Sequence, residues 1–481
     1  VSALLIVLPL VLVLALNILP KKAVNASAVW FGLAFAAAQV AIAVYAPSAS
    51  LEASSCTFAS FLGLAEHQIP LGDLGRVMFL AIGIVGFAAF MVAKAMAVCS
   101  NLLFLMVNLL LLAMAGMNGI VVARDLFTLY VFLEVTSGAS FVIIALDREK
   151  AAFEGAFKYV VMSAIATALM LASIAVLFFG TGSTDYATVA SVFSQISADP
   201  SGRMVAMVAL GMFLVGVMIK SGVMPFHGWL PDAYASAPAA GSVLLAGIVT
   251  KVTGVYTLIQ LAINVLPYDG SNKVFLFFGL FSAIVGAFAA LGQSDFKRML
   301  SYSSISQVGY ILLGVGAGSP LGYAGAIFHL FNHAIFKTLL FVNAATVEKQ
   351  TGTRDMDKLG GLSSKMPVTG LTSVIAFLST AGVPPLSGFW SKLIIIVAVW
   401  KAGYPVYAAL AVMASLLTLA YFLSMQRRVF FGKLAAGYEN VREGNMWFVV
   451  PAVLLALVTL LLGLGGPWLF ETFLLPVTTI L

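Results

Sequence analysis

Charge is scarce in this chain: its 25 Lys and Arg and 19 Asp and Glu make up only 9% of 481 residues, against roughly a quarter in a soluble domain. A water-soluble fold is excluded, because too few ionised side chains remain to cover its surface. Cysteine is scarcer still. Cys56 and Cys99 lie far apart with no CxxC or Cys/His spacing, so neither an iron–sulfur cluster nor a zinc site is supported, and they read as two isolated small residues. No glycine-rich fingerprint follows a strand and no phosphate-binding loop is present. The chain therefore offers no cofactor site, and redox or ATP chemistry would have to belong to a partner. The net charge of +6 does not point to nucleic acid, since the basic residues stand singly or in pairs between apolar stretches.

What the chain has in abundance is apolar length. Hydrophobic residues make up 62% and mean hydropathy is +1.07, while about 20 apolar residues cross a ~30 Å hydrocarbon core. The expectation is an all-α polytopic membrane protein, one transmembrane domain over 1–481. Apolar runs bounded by charge, Gly or Pro place fourteen candidate spans, at about 2–19, 25–46, 75–95, 98–120, 124–146, 155–180, 203–224, 239–264, 272–292, 298–317, 320–347, 366–402, 404–429 and 447–469. The opening run, Ala3 to Leu19, has no convincing small-residue cleavage signature and is expected to be a retained span.

Two spans are expected to be discontinuous. The seventh runs into Pro225 and Pro231, and the twelfth carries Pro384 and Pro385 at its middle; proline removes a helix donor and clashes with the preceding turn. Broken helices five spans apart suit two inverted five-helix repeats, spans 4–8 (98–264) and 9–13 (272–429), because an odd repeat length flips the second copy. Residues 1–95 hold the first three spans and 447–469 the last. With both termini outside, the inner loops collect sixteen Lys and Arg, including Lys21, Lys22, Lys297, Arg298, Arg427 and Arg428. The outer loops collect five: Arg76, Arg124, Arg203, Lys273 and Lys401. That asymmetry follows the positive-inside rule.

Five charged groups remain inside apolar runs: Glu134, Lys220, Lys251, Lys337 and Lys392. Each costs at least about 2.5–3.5 kcal/mol at mid-membrane, so a function is expected of them. An amine stranded at low dielectric holds its proton less tightly than in water and a carboxyl more tightly, which brings both toward exchange near neutral pH. If Glu134 and Lys220 face each other, separating them would release a proton along the midplane; the competing reading is a static buried ion pair. Lys251, about a dozen residues into its span, and Lys392, well short of Lys401, are poorly placed to snorkel to an interface. Lys392 follows the second break as Lys220 precedes the first, and is expected to be the terminal group of the relay, exchanging with the outer aqueous side.

His329, His333 and Lys337 recur every four residues, which puts them on one helix face. A proton relay suits imidazoles. A metal site would need further ligands, and no carboxylate or cysteine lies between them; a haem would want its axial histidines on facing helices; plain packing remains an alternative. His227 falls in the first break, either lining a water cavity or at the cytoplasmic rim. Asp295, Lys297 and Arg298 read as an orientation-setting cluster, and His67 as a solvated residue of the outer loop.

Four stretches carry a family resemblance: Asp125 to Glu134 (DLFTLYVFLE), Lys220 to Ala233 (KSGVMPFHGWLPDA), His329 to Lys337 (HLFNHAIFK) and Gly382 to Lys392 (GVPPLSGFWSK). Together they resemble the antiporter-like subunits shared by respiratory complex I, Mrp-type cation/proton antiporters and energy-converting membrane-bound hydrogenases. The resemblance spans roughly 75–430. It implies fourteen helices, two inverted repeats, and a relay through Glu134, Lys220, Lys251, His329, His333, Lys337 and a terminal Lys392, where some members have glutamate. It further implies a non-redox subunit that translocates protons, or exchanges sodium for protons, among other membrane subunits, further antiporter-like ones included. A peripheral redox arm would join them in a respiratory or hydrogenase complex, in the plasma membrane of a prokaryote. Lacking the long lateral helix of the largest complex I member, the chain is expected to sit within a row of subunits. The alternative from another class is a self-sufficient secondary carrier for a small solute.

Overall fold

The computed structural model describes residues 2–19, 27–45, 73–97, 99–196, 200–266 and 268–469, and among them every extended element is a helix. Lys21, Lys22, Cys56 and His67 lie outside the described residues. The helices are α1 (Ser2–Ile18), α2 (Ala28–Tyr45), α3 (Asp73–Met96), α4 (Ser100–Val122), α5 (Leu126–Ala145) and α6 (Lys150–Thr181). Then come α7 (Pro200–Ser221), α8 (Leu230–Ser236), α9 (Ala239–Asn264), α10 (Tyr268–Leu291) and α11 (Phe296–Gly316). The last are α12 (Pro320–Thr351), α13 (Pro367–Ala381), α14 (Ser387–Lys401), α15 (Pro405–Val429) and α16 (Met446–Leu464). A short helix, Tyr186–Ile196, was not legible in the hydropathy pattern.

Eleven of these helices are long and apolar enough to cross a membrane, and the chain is an all-helical polytopic membrane protein. Burial sorts them. The most apolar windows of α9 and α12 are wholly covered by other helices, whereas α6 and α15 bury 39% and 33% of theirs. Of the eleven, α12 is also the least apolar. A segment shielded from lipid on all sides can carry polar groups, and α9 and α12 do.

Local chemistry sets the helix ends, and the same devices recur at constant spacing. Asp125 caps α5 by accepting from the Phe127 and Thr128 amides at 3.0 and 2.8 Å; Asp295 caps α11 through the Arg298 amide at 2.8 Å. Left-handed Gly182 (φ 70°) ends α6 and Gly352 (φ 73°) ends α12. Isolated antiparallel bridges pair Asp125 with Asp185 and Asp295 with Asp355. Every member of the first set lies 170 residues before its counterpart.

Both expected breaks are present. α7 stops at Ser221, the chain turns through Gly222 (φ 66°), and α8 resumes at Leu230. A Cβ at Gly222 would overlap the Leu230 side chain, so the turn needs glycine for space as well as for φ. The Trp229 indole donates to the Ile219 carbonyl at 3.0 Å and its ring stacks on Tyr159 at 4.2 Å, which folds the break onto α6. The second break runs from Gly382 (φ 85°) to Leu386, between α13 and α14.

Span eight departs from a regular α-helix. Leu245–Val249 and Lys251–Tyr256 are π-helical, a wider coil that redirects side chains and often marks functional positions. Glycines let this stretch approach both halves closely. A Cβ at Gly254 would overlap the Ser221 backbone, next to Lys220, and one at Gly247 would overlap the Thr338 hydroxyl, next to Lys337.

Candidate functional site

The polar groups singled out from the sequence gather mainly on α5, α7, α9, α12 and α14. On the first half, Lys220 is fully enclosed at the end of α7. Its Nζ lies 3.2 Å from Glu134 Oε1 and donates to the Ser137 and Ser163 hydroxyls, each at 2.9 Å. Glu134 itself corrects the expectation of a fully buried group, since its side chain is 39% exposed on the flank of the chain. The cause is position: α5 lies at the rim, and Val131 and Val142 on the same helix are exposed too.

Lys251 is wholly buried on the π-helical part of α9 and donates to the Ala246 carbonyl. The adjacent Thr250 shares a 2.6 Å hydrogen bond with the Tyr234 hydroxyl from α8, which ties this stretch to the first break.

On α12, His329, His333 and Lys337 are all fully enclosed. The two imidazoles stack with centroids 6.3 Å apart. Lys337 donates to Ser303 Oγ at 2.7 Å and to the Leu300 carbonyl at 3.1 Å, with the Phe422 ring 5.6 Å away. Both His333 nitrogens and His329 Nε2 find no hydrogen-bond partner among the described residues.

Lys392 reaches back across the second break. Its Nζ donates to the Thr380 carbonyl at 2.8 Å and sits 4.4 Å above the Tyr310 ring, a cation–π geometry. Ser391, its neighbour, shares a 2.9 Å hydrogen bond with His329 Nδ1, which joins α14 to the α12 stripe. His227, by contrast, stands apart. It is half-buried, touches the Pro225 carbonyl at 3.3 Å and packs near Tyr302, and neither contact leads to the relay groups.

Asp295, Lys297 and Arg298, expected to set orientation, take part in a network of ion pairs. Lys297 is buried and pairs with Glu348 at 2.8 Å, Arg354 pairs with Asp295 at 3.3 Å, and Arg298 with Lys158 clasps Asp232 at 2.5 and 2.6 Å. These contacts stitch α6, α8, α11 and α12 together at one end of the bundle. Asp147 lies near this cluster, in the turn after α5; burial, then Glu149, pushes its carboxyl above the ordinary range. Among the described residues no group of three His, Cys, Asp or Glu stands together as a metal site would require.

The sequence and the fold are similar to those of known proteins. Residues 123–418 match the family described as NADH:quinone oxidoreductase/Mrp antiporter, transmembrane. The chain belongs to this family. It is 34% identical to a subunit of the Na(+)/H(+) antiporter of Alkalihalophilus pseudofirmus over 74% of this chain and 72% of the relative. It is 35% identical to NADH-quinone oxidoreductase subunit N of Desulforudis audaxviator over the same shares. A chain in the Mrp complex of Dietzia sp. DQ12-45-1b superposes with a TM-score of 0.86 at 25% identity, over 99% of this chain and 96% of that one. The family match takes in every group from Glu134 to Lys392.

Sequence reasoning missed the neutral partners of the amines, Ser137, Ser163, Ser303 and Tyr310, and that of the His329 imidazole, Ser391. A small hydroxyl in an apolar run carries no signal by itself. One cue was available, since Ser163 precedes His333 by the same 170 residues that separate the helix caps.

Proposed function

We propose that this chain is an ion-translocating subunit of a multi-subunit membrane complex, of the redox-driven or Mrp antiporter type. It moves protons along Glu134, Lys220, Lys251, His333, His329, Lys337 and Lys392 near the membrane midplane. The observation that carries this reading is the concentration of four enclosed amines and two imidazoles on broken or widened helices, held mostly by neutral oxygens. Static structural ion pairs would match each amine with a carboxylate. Here only Lys220 has one among the described residues.

Fourteen crossings, with α7 and α8 forming one and α13 and α14 another, accommodate two inverted repeats: α4–α9 and α10–α15. The 170-residue recurrence of caps, bridges and left-handed glycines supports the repeat, and its odd number of crossings supports the inversion. Both termini then face outward from a prokaryotic plasma membrane, as the distribution of Lys and Arg favours. Ions rather than a catalytic cofactor are the cargo. His227 is at most a lining group.

Neighbouring membrane subunits, antiporter-like ones included, complete the assembly, with a peripheral redox arm if the parent complex is respiratory. A half-exposed carboxylate nine residues into a twenty-residue apolar helix is costly against lipid, so Glu134 favours a protein neighbour on that flank. Affinity purification from native membranes should recover such subunits. The isolated chain in liposomes should show no transport, and autonomous solute uptake by it would replace this reading with a self-sufficient carrier.

A further inference from the structure

The buried face of α13 carries a line of polar groups that the relay does not use. Thr369, Thr372, Ser373, Ser379 and Thr380 are all enclosed, spanning most of the helix. At the start of α13, Glu443 from the segment after α15 accepts from the Val368 and Thr369 amides at 2.8 and 3.2 Å and from Thr369 Oγ1 at 2.5 Å. Glu443 is half-buried and so touches both solvent and this line. At the far end the Thr380 carbonyl accepts from Lys392.

Two side-chain amides meet this face midway. Thr372 Oγ1 donates to Asn343 Oδ1 at 3.2 Å, and Ser373 Oγ donates to Gln426 Oε1 at 3.0 Å. Asn343 and Gln426 are fully enclosed, yet Nδ2 of the first and Nε2 of the second find no hydrogen-bond partner among the described residues. Each NH2 group carries two donors that burial leaves needing acceptors. Gln426 also lies one helical turn from Phe422, whose ring faces Lys337, and Tyr421 donates to the same Ser303 that Lys337 uses. Some of the hydroxyls merely bond back to their own helix, as Thr380 does to Ala376. Helix packing alone explains those, but not two enclosed amides with idle donors.

We infer that the α13 face is a hydrated proton access route from the inner surface to Lys392 and Lys337, with Glu443 as its surface collector and Asn343 and Gln426 holding the water between. The inference rests on the relay reading. A proton taken up by the Glu443 carboxylate passes through hydroxyls and water, each accepting one proton and releasing another, and ends on a neutral lysine amine. Gln426 and Glu443 lie beyond the residues matched by the family model.

The test uses the whole complex in sealed vesicles with the inner face accessible. Asn343→Leu and Gln426→Met remove the idle donors at similar volume, and Glu443→Gln keeps the acceptor that caps α13 while removing the titrating group. Expected are about tenfold slower proton uptake for the first two and a several-fold loss for Glu443→Gln. A second measurement is independent of turnover: Ser373→Cys in a background carrying Cys56→Ser and Cys99→Ser should react with a small thiol reagent added from the inner side. Uptake at the unaltered rate in all three variants overturns the route, and so does an unreactive thiol. Lys220→Ala and Lys392→Ala in the same vesicles separate the two failures. If they stop transport while the α13 variants take up protons at the unaltered rate, the route fails and the relay stands; if they transport normally, the relay itself fails.

Discussion

The two halves of the molecule hold an enclosed amine in different ways. In the first, Lys220 faces a carboxylate 3.2 Å away, with two serine hydroxyls completing its shell. In the second, Lys337 and Lys392 have only hydroxyls, carbonyls and aromatic faces within reach among the described residues, and two imidazoles stand near them. A carboxylate stabilises the ammonium state strongly and can be weakened by moving either partner. Neutral dipoles stabilise it less, so the amine can lose its proton without breaking an ion pair. On the proposed relay the first half would act as a switch and the second as a conductor, with Lys251 on the π-helical stretch between them.

The comparison can be broken most forcefully in the second half. Lys337→Met removes the amine nearest the centre of the conductor, and translocation should fall below detection while the complex still assembles, as read by vesicle acidification and by co-purification. Next in size is Glu134→Gln. Hydrogen bonds to charged groups contribute about 1.5–3 kcal/mol, so losing the carboxylate's charge should slow translocation by at least about tenfold. Because Lys220 keeps both serines, some transport should remain. Equal loss in Glu134→Gln and Lys337→Met would erase the distinction between switch and conductor.

Smaller effects sharpen it. Ser303→Ala removes one neutral hydrogen bond to Lys337, worth about 1 kcal/mol, and should change the rate about fivefold with no effect on assembly. The smallest concerns the charged clasp at the bundle end. Asp232 is partly exposed, with a side chain 20% accessible, and pairs of that kind contribute about 0–1 kcal/mol. Asp232→Asn should lower the thermal unfolding midpoint of the detergent-solubilised complex slightly and leave transport unchanged, because the clasp holds helices and not ions.

Much of this was legible in the amino-acid order alone. Apolar runs reveal membrane helices because lipid forces every backbone donor to be satisfied within the helix, and prolines at 225, 231, 384 and 385 mark both interruptions. Lysines inside such runs announce themselves by their cost. The π-helical stretch of α9 was not legible, since Leu245 to Tyr256 looks like any apolar helix and its widening depends on contacts with α7 and α12. Nor was the outward face of Glu134, which depends on α5 lying at the rim. The pairing of Lys158, Asp232 and Arg298 joins residues up to 140 positions apart, a proximity only packing can supply.

The central claim is that amines shut away from both water and lipid carry the ion. Its most direct measurement is proton movement in sealed vesicles bearing the complete complex, with Lys220→Ala and Lys392→Ala compared to the unaltered chain at equal assembly. Loss of coupled translocation in each variant is the expected result. Normal pumping by both would contradict it.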